Sequence, residues 1–149
     1  MGICNGFQIL LEAGLIPGAM MHNNKLRFVC KSVNIRVENT ESMFTSHLKK
    51  GQVLNIPVSH GEGNYFIDDD GLKALNDNNQ VLFRYTDAEG NLTDEANFNG
   101  SRDSIAGITN VGGNVLGMMP HPERAMEKIL GSEDGKPIFD SILNSLSIA

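Results

Sequence analysis

The chain has two cysteines, Cys4 and Cys30, too few for a disulfide-stapled fold. Cys4 lies in a tight Gly-rich turn and Cys30 in an alternating strand pattern, so both are expected as free thiols, Cys30 as a small strand residue. No apolar run approaches membrane-spanning length: Gln8-Ile9-Leu10-Leu11 is broken by Glu12 and closed by Gly14 and Pro17. A basic stretch ahead of an apolar one is missing at the N-terminus, so the expected location is the cytoplasm, away from membranes. The 12 lysines and arginines are scattered, with only Lys49-Lys50 adjacent, and the net charge is −6. Neither a nucleic-acid groove nor an anionic membrane surface is expected. Repeats and low-complexity tracts are absent. With 149 residues, 40% hydrophobic and 20% charged, the sequence fits one globular domain over 1–149.

What is present begins at the first residues. Gly2-Ile3-Cys4-Asn5-Gly6 has the spacing of a nucleophile elbow, a sharp strand-to-helix turn whose small flanking residues relieve crowding and expose the central side chain. Phe7, Leu10 and Leu11 then share one face of a helix that stops by Gly14 and Pro17. Cys4 would sit at the N-terminus of that helix, where positive potential favours thiolate. By itself the pentapeptide also fits a small buried cysteine in a turn. An elbow needs a strand leading into it, and with only Met1-Gly2-Ile3 ahead of Cys4 the chain reads as beginning in mid-domain.

Further along, Ala19 to Lys25 reads as a loop. Val29 to Val37 alternates as a long half-exposed strand, and Val53 to Val58 as a short one. The latter runs into Ser59-His60-Gly61-Glu62-Gly63, a loop whose glycines let backbone approach a ligand. Asp68-Asp69-Asp70 reads as an acidic helix start and lacks the ligand spacing of a calcium loop. Val81 to Thr86 is a strand, and Asp87 to Asn99 a polar excursion. Ile105 to Thr109 and Val115 to Met119 form a hairpin about Gly112-Gly113-Asn114. That hairpin delivers the chain into His121-Pro122-Glu123. From Lys136 a closing helix carries Ile138, Phe139, Ile142, Leu143 and Leu146 as an apolar stripe.

Imidazole activates a thiol by taking its proton, and a carboxylate on the other ring nitrogen fixes the tautomer. Cys4, His121 and Glu123 supply these three groups. The His-x-Glu spacing also occurs in zinc deaminases, but the Pro-Cys-x-x-Cys pair those sites require is missing.

Gly2 to Gln8, Val58 to Tyr65 and Gly117 to Arg124 together resemble the signature segments of class I glutamine amidotransferases. Among these the chain is most similar to the glutaminase subunits of phosphoribosylformylglycinamidine synthases, with added support from Val37 to Thr40, Phe44-Thr45 and Asn99-Gly100-Ser101 to Ile108. The resemblance implies an α/β, flavodoxin-like domain, truncated at its N-terminus and carrying additional antiparallel strands. It implies glutamine hydrolysis through a cysteine thioester, with ammonia passed to a large synthetase subunit that makes formylglycinamidine ribonucleotide in de novo purine biosynthesis. ATP and magnesium are expected on that partner and no cofactor on this chain; a small bridging subunit is admitted. Cys4 would be the nucleophile, His121 the base and Glu123 its orienting group. Asn5 would give an oxyanion donor through its N–H, while Gln8, Ser59, Gly61 and Glu62 would hold L-glutamine. The segment supplying the second oxyanion donor in the family is expected to be missing. The alternatives are another class I amidotransferase or cysteine hydrolase, and a non-catalytic remnant serving as a docking module.

Overall fold

The structure, a computed structural model, describes residues 1–147. Eight strands and three α-helices follow in the order β1 (Gly2–Ile3), α1 (Asn5–Glu12), β2 (Ala19–His22), β3 (Val29–Val37), β4 (Val53–His60), β5 (Glu62–Phe66), α2 (Asp69–Asp77), β6 (Val81–Thr86), β7 (Ile105–Thr109), β8 (Leu116–Met118) and α3 (Lys136–Ser147). Six strands form one sheet in the order β1-β8-β7-β6-β3-β4, while β2 and β5 pair separately. Only β1 and β8 run parallel in the large sheet, Gly2 opposite Gly117 and Ile3 opposite Met118. The other pairings are antiparallel, so the additional antiparallel strands dominate the described residues.

Alternating side chains build a core on each face. From β3 and β4, Val33, Ile35, Val37, Leu54, Ile56 and Val58 join Phe44, Leu48 and Ile138 of α3 in one cluster. The second gathers Phe7, Leu11 and Ile16 around α1 with Leu75 of α2, Ile105 and Ile108. Helix α1 lies against the β1–β8 pair because Gly117 leaves room for it: a Cβ there would stand 2.3 Å from the Phe7 ring and 2.6 Å from Ile16. Helix α2 starts as its aspartates suggest, the Asp68 carboxylate accepting from the Gly71 N–H at 2.7 Å.

Three expectations change. Ala19 to His22 is a strand rather than loop, paired with β5 away from the main core, so its side chains show no burial period. The segment 59–63 is not a loop either, because β4 continues to His60 and β5 begins at Glu62, with Gly61 the corner where the chain leaves one sheet for the other. On α3, Ile138 and Ile142 pack on the core, whereas Leu143 and Leu146 are exposed. Among the described residues no helix is long and apolar enough to cross a membrane.

Candidate active site

Three sheet-borne segments meet at Cys4. It follows β1 directly, its N–H donating to the Met118 carbonyl at 2.8 Å, and so it leaves the sheet beside the end of β8. The chain from β8 reaches His121 three residues later, and the His121 N–H donates to Pro57 O of β4 at 2.8 Å. Two residues along β4, the Ser59 carbonyl accepts the Cys4 thiol at 3.7 Å. Thiol and imidazole are thereby fixed on the same end of β4.

Cys4 has φ 53 and ψ −108, an outlying conformation for a non-glycine residue. Such strain costs of order 1–3 kcal/mol. Burying Phe7 and Leu11 of the adjoining helix contributes roughly 3–6 kcal/mol, which outweighs it. The two elbow glycines differ. Gly2 is required, since a Cβ there would stand 2.6 Å from Gly6 O, whereas a Cβ at Gly6 would meet open space. Only half of the crowding argument from the sequence therefore holds.

The His121 ring is buried, with Nδ1 2.6 Å from Glu123 Oε1. The half-exposed carboxylate holds the Nδ1 proton, and Nε2, unpartnered among the described residues, is the nitrogen left to accept one. The thiol is not poised as a thiolate. Burial pushes the Cys4 pKa up, outweighing the Asn5 N–H and the Arg124 guanidinium, which lower it; Glu123 raises it further. The helix N-terminus does contribute through the Asn5 N–H on the sulfur, but desolvation wins, so the resting cysteine is a thiol.

The remaining predicted residues surround the 59–63 corner. Gln8 donates from Nε2 to Glu62 O at 3.1 Å, which spends its amide on the backbone and ties α1 to the corner. Gly61 O accepts the Asn23 N–H at 3.0 Å, and the exposed Glu62 side chain faces His22 Nδ1 at 3.3 Å. Cys30 stands opposite Ser59 on β3, exposed, as a strand residue. Four participants had no role from the sequence: Arg124, which acts on the thiol, and Asn23, His60 and Asn99 beneath the corner. The Asn99-Gly100-Ser101 segment was visible as a motif, but its contact with Gly63 spans 36 residues.

His60 is buried, and its pKa falls to about 4, through desolvation first and then the charge of His121. Unfolded, a histidine takes up its proton near pH 6.5, while this one resists until near 4. Stability is therefore intact above pH 6.5 and falls with pH across that window, by on the order of 2–3 kcal/mol. Urea unfolding at pH 7 and pH 4.5 should show this loss, and His60→Gln should flatten it.

The structure thus brings a thiol, an imidazole and a carboxylate to one end of β4 on an α/β domain. Residues 1–136 match the CobB/CobQ-like glutamine amidotransferase domain, and the chain belongs to that family. It is 58% identical over 147 residues to the phosphoribosylformylglycinamidine synthase subunit PurQ of Salinibacter ruber, covering 99% of this chain and 63% of that one. To PurQ of Chlorobaculum parvum it is 55% identical, covering 99% and 58%. A chain in the structure of PurLQS from Thermotoga maritima superposes with a TM-score of 0.83 at 47% identity, covering 98% of this chain and 61% of that one. The chain thus spans less than two thirds of the length of these relatives.

Proposed function

We propose that the chain carries the glutaminase chemistry of a phosphoribosylformylglycinamidine synthase, hydrolysing L-glutamine and releasing ammonia to a synthetase subunit. The observation that carries the reading is the His121–Glu123 pair at 2.6 Å with Nε2 bare, on the same end of β4 as the Cys4 thiol. Similarity to PurQ proteins over 99% of the chain supports the choice of synthetase.

In this reading Cys4 Sγ bonds to the side-chain amide carbon of glutamine while its proton passes to His121 Nε2. The Asn5 N–H stabilises the oxyanion. His121 then protonates the departing nitrogen, the C–N bond breaks, and ammonia leaves a thioester on Cys4. Water attacks the thioester, His121 takes and returns its proton, and glutamate departs with the thiol restored. Glu123 holds the Nδ1 proton throughout and stabilises each imidazolium. Gln8, Ser59, Gly61 and Glu62 form the wall that holds glutamine. ATP and magnesium are assigned to the large synthetase partner, as the family resemblance implies, and the assembly admits a small bridging subunit. The reading places the protein in the cytoplasm, where reducing conditions keep Cys4 as a thiol.

The test is glutamate and ammonia formation by the full chain with its synthetase partner. Glu123→Gln should lower turnover roughly 10- to 10,000-fold, since a lost orienting group costs up to about the latter. Metal content should not change. Absence of glutamate formation in the assembled complex, or activity tied to stoichiometric zinc, would overturn the proposal.

A further inference from the structure

The corner between β4 and β5 is held from beneath by more than the Cys4–His121–Glu123 chemistry requires. Its five consecutive carbonyls are all engaged: Ser59 O by Cys4 Sγ, His60 O by Asn23 Nδ2, Gly61 O by the Asn23 N–H, Glu62 O by Gln8 Nε2 and Gly63 O by Asn99 Nδ2. Asn23 is spent almost wholly on this corner. Its Nδ2 donates both to His60 O at 3.0 Å and to Arg27 O at 2.9 Å. The amide oxygen is thereby turned toward His60 Nδ1 at 3.1 Å, where it can only accept. His60 is fixed as the Nδ1–H tautomer.

His60 Nε2 is then a bare lone pair, buried and unpartnered among the described residues. Phe98 stacks on the ring with centroids 5.8 Å apart, and a Cβ at Gly63 would fall 2.1 Å from it. Titratable groups stand on the elements around this ring, and one of them acts on it. His121 acts on it directly from the turn after β8. Across Phe98 lie Tyr85 of β6, 5.3 Å between centroids, and Lys31 of β3, 4.6 Å above the ring. Cys4 touches the preceding residue's carbonyl, and Glu62 of β5 faces His22 of β2 at the surface. An amide oxygen gives an imidazole an acceptor without the full negative charge by which a carboxylate would favour its cation.

We propose that Asn23 and His60 form a positioning pair for the glutaminase site. A neutral imidazole, locked by the Asn23 amide, fixes the Ser59–Gly63 corner under Cys4 and keeps positive charge away from His121, the group that must accept the thiol proton. A cation there would weaken His121 as a base. The inference rests on the roles proposed above for Cys4 and His121.

The experiment takes the full chain with its synthetase partner, labelled with 15N histidine. The His60 ring nitrogens should report the neutral Nδ1–H tautomer from pH 5 to 8, and Asn23→Ala should abolish that single-tautomer signature. In kinetics, His60→Leu should lower kcat per folded molecule at least about tenfold, as displaced reacting groups do. His60→Gln, whose amide can still donate to Asn23, should stay within about threefold. Iodoacetamide alkylation of Cys4 should separate the two variants in the same order. An Nε2–H or protonated His60 at pH 7, or equal kcat and alkylation in the Leu and Gln variants, would overturn the proposal. Should His60→Leu not fold, the wild-type tautomer decides. If glutamine is not hydrolysed at all, the glutaminase reading fails, while tautomer and alkylation still judge the pair.

Discussion

Cys4→Ala is expected to abolish glutamine hydrolysis, a loss of about 10⁶-fold in turnover by comparison with nucleophile removal in other triads. The thioester of the proposed cycle, and the tetrahedral adducts on either side of it, are all bonded to its sulfur. The substitution removes one half-buried atom whose contact is a 3.7 Å thiol–carbonyl interaction, and an alanine meets the same φ of 53. Melting should therefore shift little, and the assay pairs ammonia release with thermal unfolding. A variant that keeps a tenth of the activity would place the nucleophile elsewhere.

A second large effect is expected at a glycine outside the triad. Gly135 precedes α3, and a Cβ on it would stand 2.0 Å from the Pro122 carbonyl oxygen and 2.7 Å from its carbon, both backbone atoms. Ordinary contact needs more than 1 Å beyond that, so in Gly135→Ala one backbone must yield. Pro122 links His121 to Glu123, and its carbonyl also accepts the Ala125 N–H at 3.0 Å. Displacing reacting groups by about 1 Å costs roughly 100-fold in rate. Overpacking itself costs about 1–3 kcal/mol. Gly135→Ala should thus lose about 100-fold in kcat while remaining folded, and His121 should bind Glu123 less well by imidazole NMR. Unchanged kcat would show that α3 yields instead.

The elements readable in the sequence are those whose neighbours impose a period. β3 spans Val29–Val37 as expected because Val33, Ile35 and Val37 face one core, and β6 and β7 also match the expected bounds. β2 was missed because its partner is β5 alone, outside the main sheet. The apolar stripe of α3 overstated its burial, since Leu143 and Leu146 find nothing to cover them among the described residues. At the site, the grouping of Cys4, His121 and Glu123 was legible from residue chemistry and spacing taken together, the elbow pentapeptide alone fitting a small buried cysteine equally well. The state of the thiol was not, because desolvation depends on what the fold lays over the sulfur, and there it exceeds the contribution of the Asn5 N–H. Asn23 and His60 were equally hidden. Their hydrogen bonds span 37 residues, a separation at which no local pattern records the partner.

In the proposed reaction Cys4, and not the exposed Cys30, attacks the glutamine side chain. A chloroketone analogue of glutamine, applied to the full chain and mapped by peptide mass spectrometry, tests it directly. The account predicts modification at Cys4, suppressed by excess glutamine and lost in His121→Ala. Glutamine-protectable labelling of Cys30 in place of Cys4 would contradict it.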